Sequence, residues 1–291
     1  MARVPRSGAP GRRPAEVRTL RRSASMTSSS STSFRLRALA LVALGLNVAF
    51  NAVYDRIGLP LRSVRAVSDE YQTLVTPAPY AFAIWGVLYT ALAVYAIAAL
   101  LPRQRAVRVH DRIAPPFIAF QLLASVWIAV FASGHAALST AIVLVMLGVA
   151  MTMVQRAASG ASEVRHGNLL LLPFTALLGW LSVAAIASVS QAGVALGLSP
   201  KLVAPAIAML VVALLLGLAM AVRFADAAYL AVVCWASVAL AVAQRGVADA
   251  FADLAIVVAT ASGLAVVSVL ALHAYRALAP GLARHAPTSA T

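Results

Sequence analysis

Residues 76–97 read TPAPYAFAIWGVLYTALAVYAI, with two prolines ahead of a long uncharged run. As a helix at ~1.5 Å per residue, such a run can cross the ~30 Å hydrocarbon layer of a bilayer. Pro79 suits the first helical turn, where the N–H it lacks would have no partner. Phe82, Trp85 and Tyr89 recur at steps of three and four, which puts them within ~60° of one another on a helix. Trp and Tyr favour membrane interfaces, yet Trp85 and Tyr89 lie ~10–16 Å along the axis from the start of the span. The stripe is therefore either a helix-packing surface or the wall of a site.

The rest of the chain explains why lipid is its solvent. Of 291 residues, 62% are hydrophobic and 11% charged, with a mean hydropathy of +0.89. Soluble domains run near 45–50% apolar and about 25% charged. Ala, Leu and Val dominate, and the charges are confined to short stretches, whereas a membrane barrel would show ~10-residue alternating segments. The expected fold is an all-α polytopic membrane helix bundle of about eight transmembrane helices. The spans fall near 38–54, 78–101, 115–132, 136–154, 172–194, 202–222, 227–244 and 250–273. Helix is forced, because a lone strand leaves its backbone groups unpaired in lipid.

Net charge is +14, and nine of the 23 basic residues lie in 1–37. Positive charge flanking apolar spans reads as topology rather than as a nucleic-acid partner. With the N-terminus in the cytoplasm, inside segments carry eighteen basic residues and outside segments five. This points to cytoplasmic N- and C-termini, in what is expected to be the cell (plasma) membrane. The expected divisions are a basic disordered tail over 1–37, a five-helix region over 38–195, three additional helices over 196–274, and a second tail over 275–291. The first tail is Arg-, Ser-, Pro- and Gly-rich with little to bury; it could also be a transit peptide, or Met26 could be the start. The connection 55–77 is long among short ones, and such loops are either lids or plain connectors.

Few residues could carry chemistry. All nine acidic residues sit in loops or at interfaces, Asp253 at the very start of the last span, so neither a mid-membrane proton relay nor a carboxylate pair is indicated. The histidines lack an i, i+4 metal spacing, and the single cysteine, Cys234, excludes an intrachain disulfide. No cofactor is expected, and the chain does not read as an enzyme. Asn47 and Asn51 share a helix face, either as interhelical glue or as ligand contacts. Pro173, Trp180, Ala184, Ala187 and Gln191 line one stripe of the fifth span, suited to close packing or to a cavity wall. Gly193 and Gly197 form one G-x-x-x-G, a weak signal for a homodimer face.

The segment TPAPYAFAIWGVLY resembles the second-helix motif of the TspO/MBR (translocator protein, tryptophan-rich sensory protein) family. LLASVWIAVF resembles its third-helix motif, aligning Trp127 and Phe131, and LLPFTALLGWLSVAAIASVS its fifth, aligning Pro173, Trp180 and Ala184. The resemblance covers roughly residues 38–195, and an extended eight-span branch of the family carries the same second- and fifth-helix patterns. Ala124 and Ser188 stand where the family has asparagine. The resemblance implies a five-helix bundle whose pocket, capped by the first loop, binds hydrophobic planar molecules such as porphyrins. Trp85 and Tyr89 would line that pocket, with Phe82, Trp127 and Trp180 as further ligand-binding candidates. The contrasting reading is a non-catalytic membrane scaffold or partner-binding protein in which these aromatics only pack helices.

Overall fold

The computed structural model describes residues 14–56, 61–164 and 167–284, and every regular element among them is helical. In chain order the α-helices are α1 (Pro14–Val53), α2 (Val64–Glu70), α3 (Ile84–Leu100), α4 (Val109–Ala132), α5 (Ala136–Ser159), α6 (Gly167–Ala195), α7 (Val203–Phe224), α8 (Ala228–Gln244) and α9 (Asp249–Arg284). A 3-10 turn, Pro79–Ala83, leads into α3 and has proline in its first turn. Seven of these helical segments are long and apolar enough to cross a membrane; α8, expected as an eighth span, is apolar but only 17 residues long. Their outer faces expose Val87, Val94, Leu215, Val222 and Leu264, which suits lipid and would be a liability in water.

Two groups of helices result. α1 packs on α3 and α4, α4 on α5, α5 on α6, and α6 returns to α3, closing a five-helix ring. α7, α8 and α9 pack on one another, and α8 docks on α6. A Cβ at Gly179 would stand 3.2 Å from the Tyr229 carbonyl oxygen and 3.3 Å from Val232 Cβ, so glycine permits the close α6–α8 approach. One buried core, including Leu88, Phe117, Phe120, Phe174, Val233 and Ala236, runs through the ring and into α8.

Three expectations need correction. Residues 14–37, read as disordered, are helical as the N-terminal part of α1; extending an existing helix costs far less than nucleating one. Residues 1–13 and 285–291 lie outside the described residues. Arg37, counted with the solvated tail, is buried: its Nε donates to Asp111 at 2.7 Å and its Nη atoms to the carbonyls of Ala99, Gln104 and Val107 at 3.0, 2.8 and 2.8 Å. The third span starts at Val109, so Pro115 and Pro116 lie inside α4. Proline at 116 frees the carbonyl four residues earlier, and that Arg112 carbonyl accepts a bond from Arg156 of α5 at 2.5 Å.

Gly193 and Gly197 are used within the chain. Gly197 has φ +91°, Leu198 N–H donates to Gly193 O at 3.0 Å, and Gly197 N–H to Val194 O at 2.9 Å. This pair of bonds is a Schellman helix stop, which uses the positive φ of Gly197, and a Cβ at Gly193 would stand 3.1 Å from Leu198 Cδ1.

Candidate ligand site

The ring encloses a cavity at the end where α1 runs into the loop to α3. Three indoles and two phenyl rings wall it. Trp85 and Phe82 both meet Trp180 edge-on, at centroid distances of 6.4 and 6.2 Å and interplanar angles of 87° and 83°. Across the cavity Trp127 stacks on Phe131 at 5.1 Å and 23°. Trp180 is only 3% exposed, which fixes the orientation of its ring. The α6 stripe of Trp180, Ala184, Ala187 and Gln191 forms the wall opposite, small residues leaving the space that the aromatics border.

Of the expected site residues, Phe82, Trp85, Trp127 and Trp180 come together around one cavity, whereas Tyr89 does not reach it. Tyr89 stacks behind Trp85 at 5.4 Å, and its hydroxyl accepts from Asn51 Nδ2 at 2.8 Å. Asn47 donates to Gln121 Oε1 at 2.8 Å and accepts from Ser125 at 3.2 Å. The two asparagines thus bridge helices, Asn51 holding the ring that backs Trp85. Pro173 faces a different groove, beside Tyr95 and Arg103 at the opposite end of the ring.

The loop between α1 and α3 covers the cavity. Val64 and Ser68 of α2 and Pro77 all contribute to the wall. Upstream, Val64 N–H donates to the Tyr54 hydroxyl at 2.8 Å and Arg62 N–H to Ala132 O at 3.1 Å. Ser63 caps α2 by accepting from Ala66 N–H at 3.1 Å. The cavity volume is about 50 Å³, against about 610 Å³ when all free space out to the mouth is counted. Sites for drug-sized ligands measure ~300–1,000 Å³, so a ligand of that size needs the walls or the covering loop to move.

The polar groups at the cavity are few: Ser68, Ser188, Gln191 and the indole nitrogens. Trp127 Nε1 is buried and has no partner within the protein. No three His, Cys, Asp or Glu gather to hold a metal among the described residues. Sequence reasoning missed Ser68 and Val64 of the loop and Val143 and Met146 of α5. Nothing in an apolar stretch distinguishes a side chain facing a cavity from one facing a neighbour.

An aromatic-walled cavity inside a five-helix ring, with lipid-facing outer surfaces and a covering loop, defines an integral membrane protein with a small internal cavity. The sequence matches the family model described as TSPO-like protein over residues 37–273, so the chain belongs to the TSPO-like family. The match runs through α7 and α8 and into α9, so the three additional helices fall within the matched region. No curated protein and no solved structure matches the chain.

Proposed function

We propose that this protein binds, senses or transports a hydrophobic planar small molecule, tetrapyrrole-like in class, without chemically altering it. The observation that carries the reading is the slot of Trp85, Trp180, Phe82 and Trp127 beneath the α2 loop. Rigid aromatic faces offer large contact area at small entropic cost, which suits a flat π-rich ligand. Ser68, Ser188 and Gln191 supply neutral hydrogen-bonding groups and no acid/base pair, which suits holding rather than reacting. We further propose that the covered end of the ring faces away from the cytoplasm, with both termini inside the cell.

Titration of the purified protein with protoporphyrin tests the reading through tryptophan fluorescence. Three of the four tryptophans border the cavity, and Trp235 on α8 does not. Saturable quenching is expected, and Trp85→Ala should weaken binding by roughly tenfold or more, as truncating a buried aromatic anchor does. Quenching indifferent to Trp85 and Trp180 rejects the site. No quenching by any tetrapyrrole favours the scaffold role.

A further inference from the structure

The segment joining the lid to the aromatic wall is unusual. Residues 73–78 are irregular in backbone yet buried without a break. Buried backbone N–H and C=O groups need partners, most of all at membrane depth. An irregular strap cannot supply them from its own ladder. Part of the answer is local: Thr73 N–H donates to Thr76 Oγ1 at 2.9 Å, and Thr76 N–H to Thr73 O at 3.1 Å. Further partners come from α8, outside the ring.

Three bonds make that link. Gln244 Nε2 donates to Thr73 O at 3.3 Å, and Gln244 is 6% exposed. Ala78 N–H donates to Ala239 O at 3.1 Å. Trp235 Nε1 donates to Ala81 O at 3.1 Å, and its ring meets Tyr80 edge-on at 5.5 Å. On α8, Trp235 and Ala239 lie ~40° apart and Gln244, its last residue, ~140° further round, so the three bonds hold the strap along the second half of that helix without sharing one face. Phe82 and Trp85, two of the cavity's walls, follow immediately on the same stretch of chain. The lid's two ends are therefore held by different units. Tyr54 of α1 and Ala132 of α4 hold the upstream end, and α8 holds the downstream end. Between them, the lid reaches the far wall through Ser68 and Gln191, 3.5 Å apart, at the limit of a hydrogen bond.

We propose that the three added helices act, through Trp235 and Gln244 of α8, as a post that anchors the lid and sets how readily the cavity opens. This rests on the cavity being the ligand site but concerns its access, and it assigns the additional helices a task. Gln244 and Trp235 are positioning residues, since neither borders the cavity. Removing one such bond should raise the open fraction about three- to tenfold.

The test needs no ligand. In the full chain, with Cys234→Ala to remove the native thiol, Ser68→Cys places a reporter on the buried lid face. Its rate of labelling by a water-soluble maleimide measures opening. Gln244→Leu deletes the donor at nearly constant volume, and Trp235→Phe deletes it while keeping an aromatic ring. Each should speed labelling about three- to tenfold, while Leu264→Ala on the outer face of α9 leaves it unchanged. Parental labelling rates in both α8 variants overturn the proposal, as does equal acceleration by Leu264→Ala. A second arm measures protoporphyrin release from the chain without the reporter, which should quicken in the same order. If protoporphyrin fails to bind at all, the ligand reading falls, while the labelling rates still decide the role of α8.

Discussion

Two arginine–carboxylate pairs mark opposite ends of the five-helix ring. At the end away from the lid, Arg37 meets Asp111 at 2.7 Å, and Arg37 is 4% exposed. On the lid, Arg62 meets Glu70 at 2.5 Å, with both side chains nearly half exposed. By distance alone the lid pair looks stronger. Solvent reverses that ranking, because water screens exposed charges and competes for their hydrogen bonds. Arg37 also donates to the carbonyl of Ala99 in the last turn of α3 and to those of Gln104 and Val107 in the connection to α4, so one side chain fastens α1 to two other helices. The ring is thus bolted at one end and latched at the other, as the proposed entry of a ligand from one side requires.

The largest effect is expected where the bolt is removed. Arg37→Met keeps the apolar stem but leaves Asp111, 26% exposed, without its cation and three carbonyls without their donor. Breaking a buried pair from one side typically costs about 3–5 kcal/mol. Thermal unfolding in detergent should show this as a large fall in midpoint. A fall no greater than that of a surface variant would mean that the clamp is incidental.

How much of this was readable beforehand differs between the two ends. Span positions were legible, because lipid admits only helices and their length is set by its thickness. Phe82, Trp85, Trp127 and Trp180 were legible as a group, and the α6 stripe of small residues marked a wall without saying what it faced. Arg37 was not legible. Its charge fits a positive tail equally well, and its partner Asp111 lies 74 residues away. Tyr89 shares the face of Trp85, but helical spacing cannot show that Asn51 draws its hydroxyl aside. The post on α8 was hidden for the same reason: backbone groups of 73–81 carry no sequence signature of their needs.

A third acidic residue sharpens the contrast, since it is buried without an arginine. Asp226, in the turn between α7 and α8, is 5% exposed; it accepts from the Thr175 hydroxyl of α6 and from Ala228 N–H at 2.7 Å. Burial pushes its carboxyl above the ordinary value of 3.8, and the bonds from Thr175 and Ala228, with the charge of His273, only partly offset this. A carboxyl raised in the folded state stabilises most when protonated. That contribution is complete below the ordinary value and is lost as pH rises through the raised one. Asp226→Asn keeps an oxygen for Ala228 and has no charge to bury. The variant should therefore gain stability over the parent as pH climbs from about 4 to neutrality, the ordinary carboxylate marking the lower bound. A difference in unfolding midpoint that stays flat across this range would show that the carboxylate's burial carries no cost.

The smallest effect belongs to the lid pair. Arg62→Ala removes an exposed ion pair with Glu70, worth less than about 1 kcal/mol and weakening further in salt. The Arg62 backbone bond to Ala132 survives the change, because it uses the main-chain N–H. Overall unfolding should hardly move. The Arg62 guanidinium also lies over Gly134, in the turn between α4 and α5, where a Cβ would stand 2.8 Å from Nη2. Its loss therefore frees the upstream rim of the lid, and maleimide labelling of the Ser68→Cys reporter should rise by less than it does in Gln244→Leu. If Arg62→Ala instead opened the lid more than Gln244→Leu, the exposed pair rather than the buried strap would be the latch. The two ends of the ring would then differ in strength but not in kind.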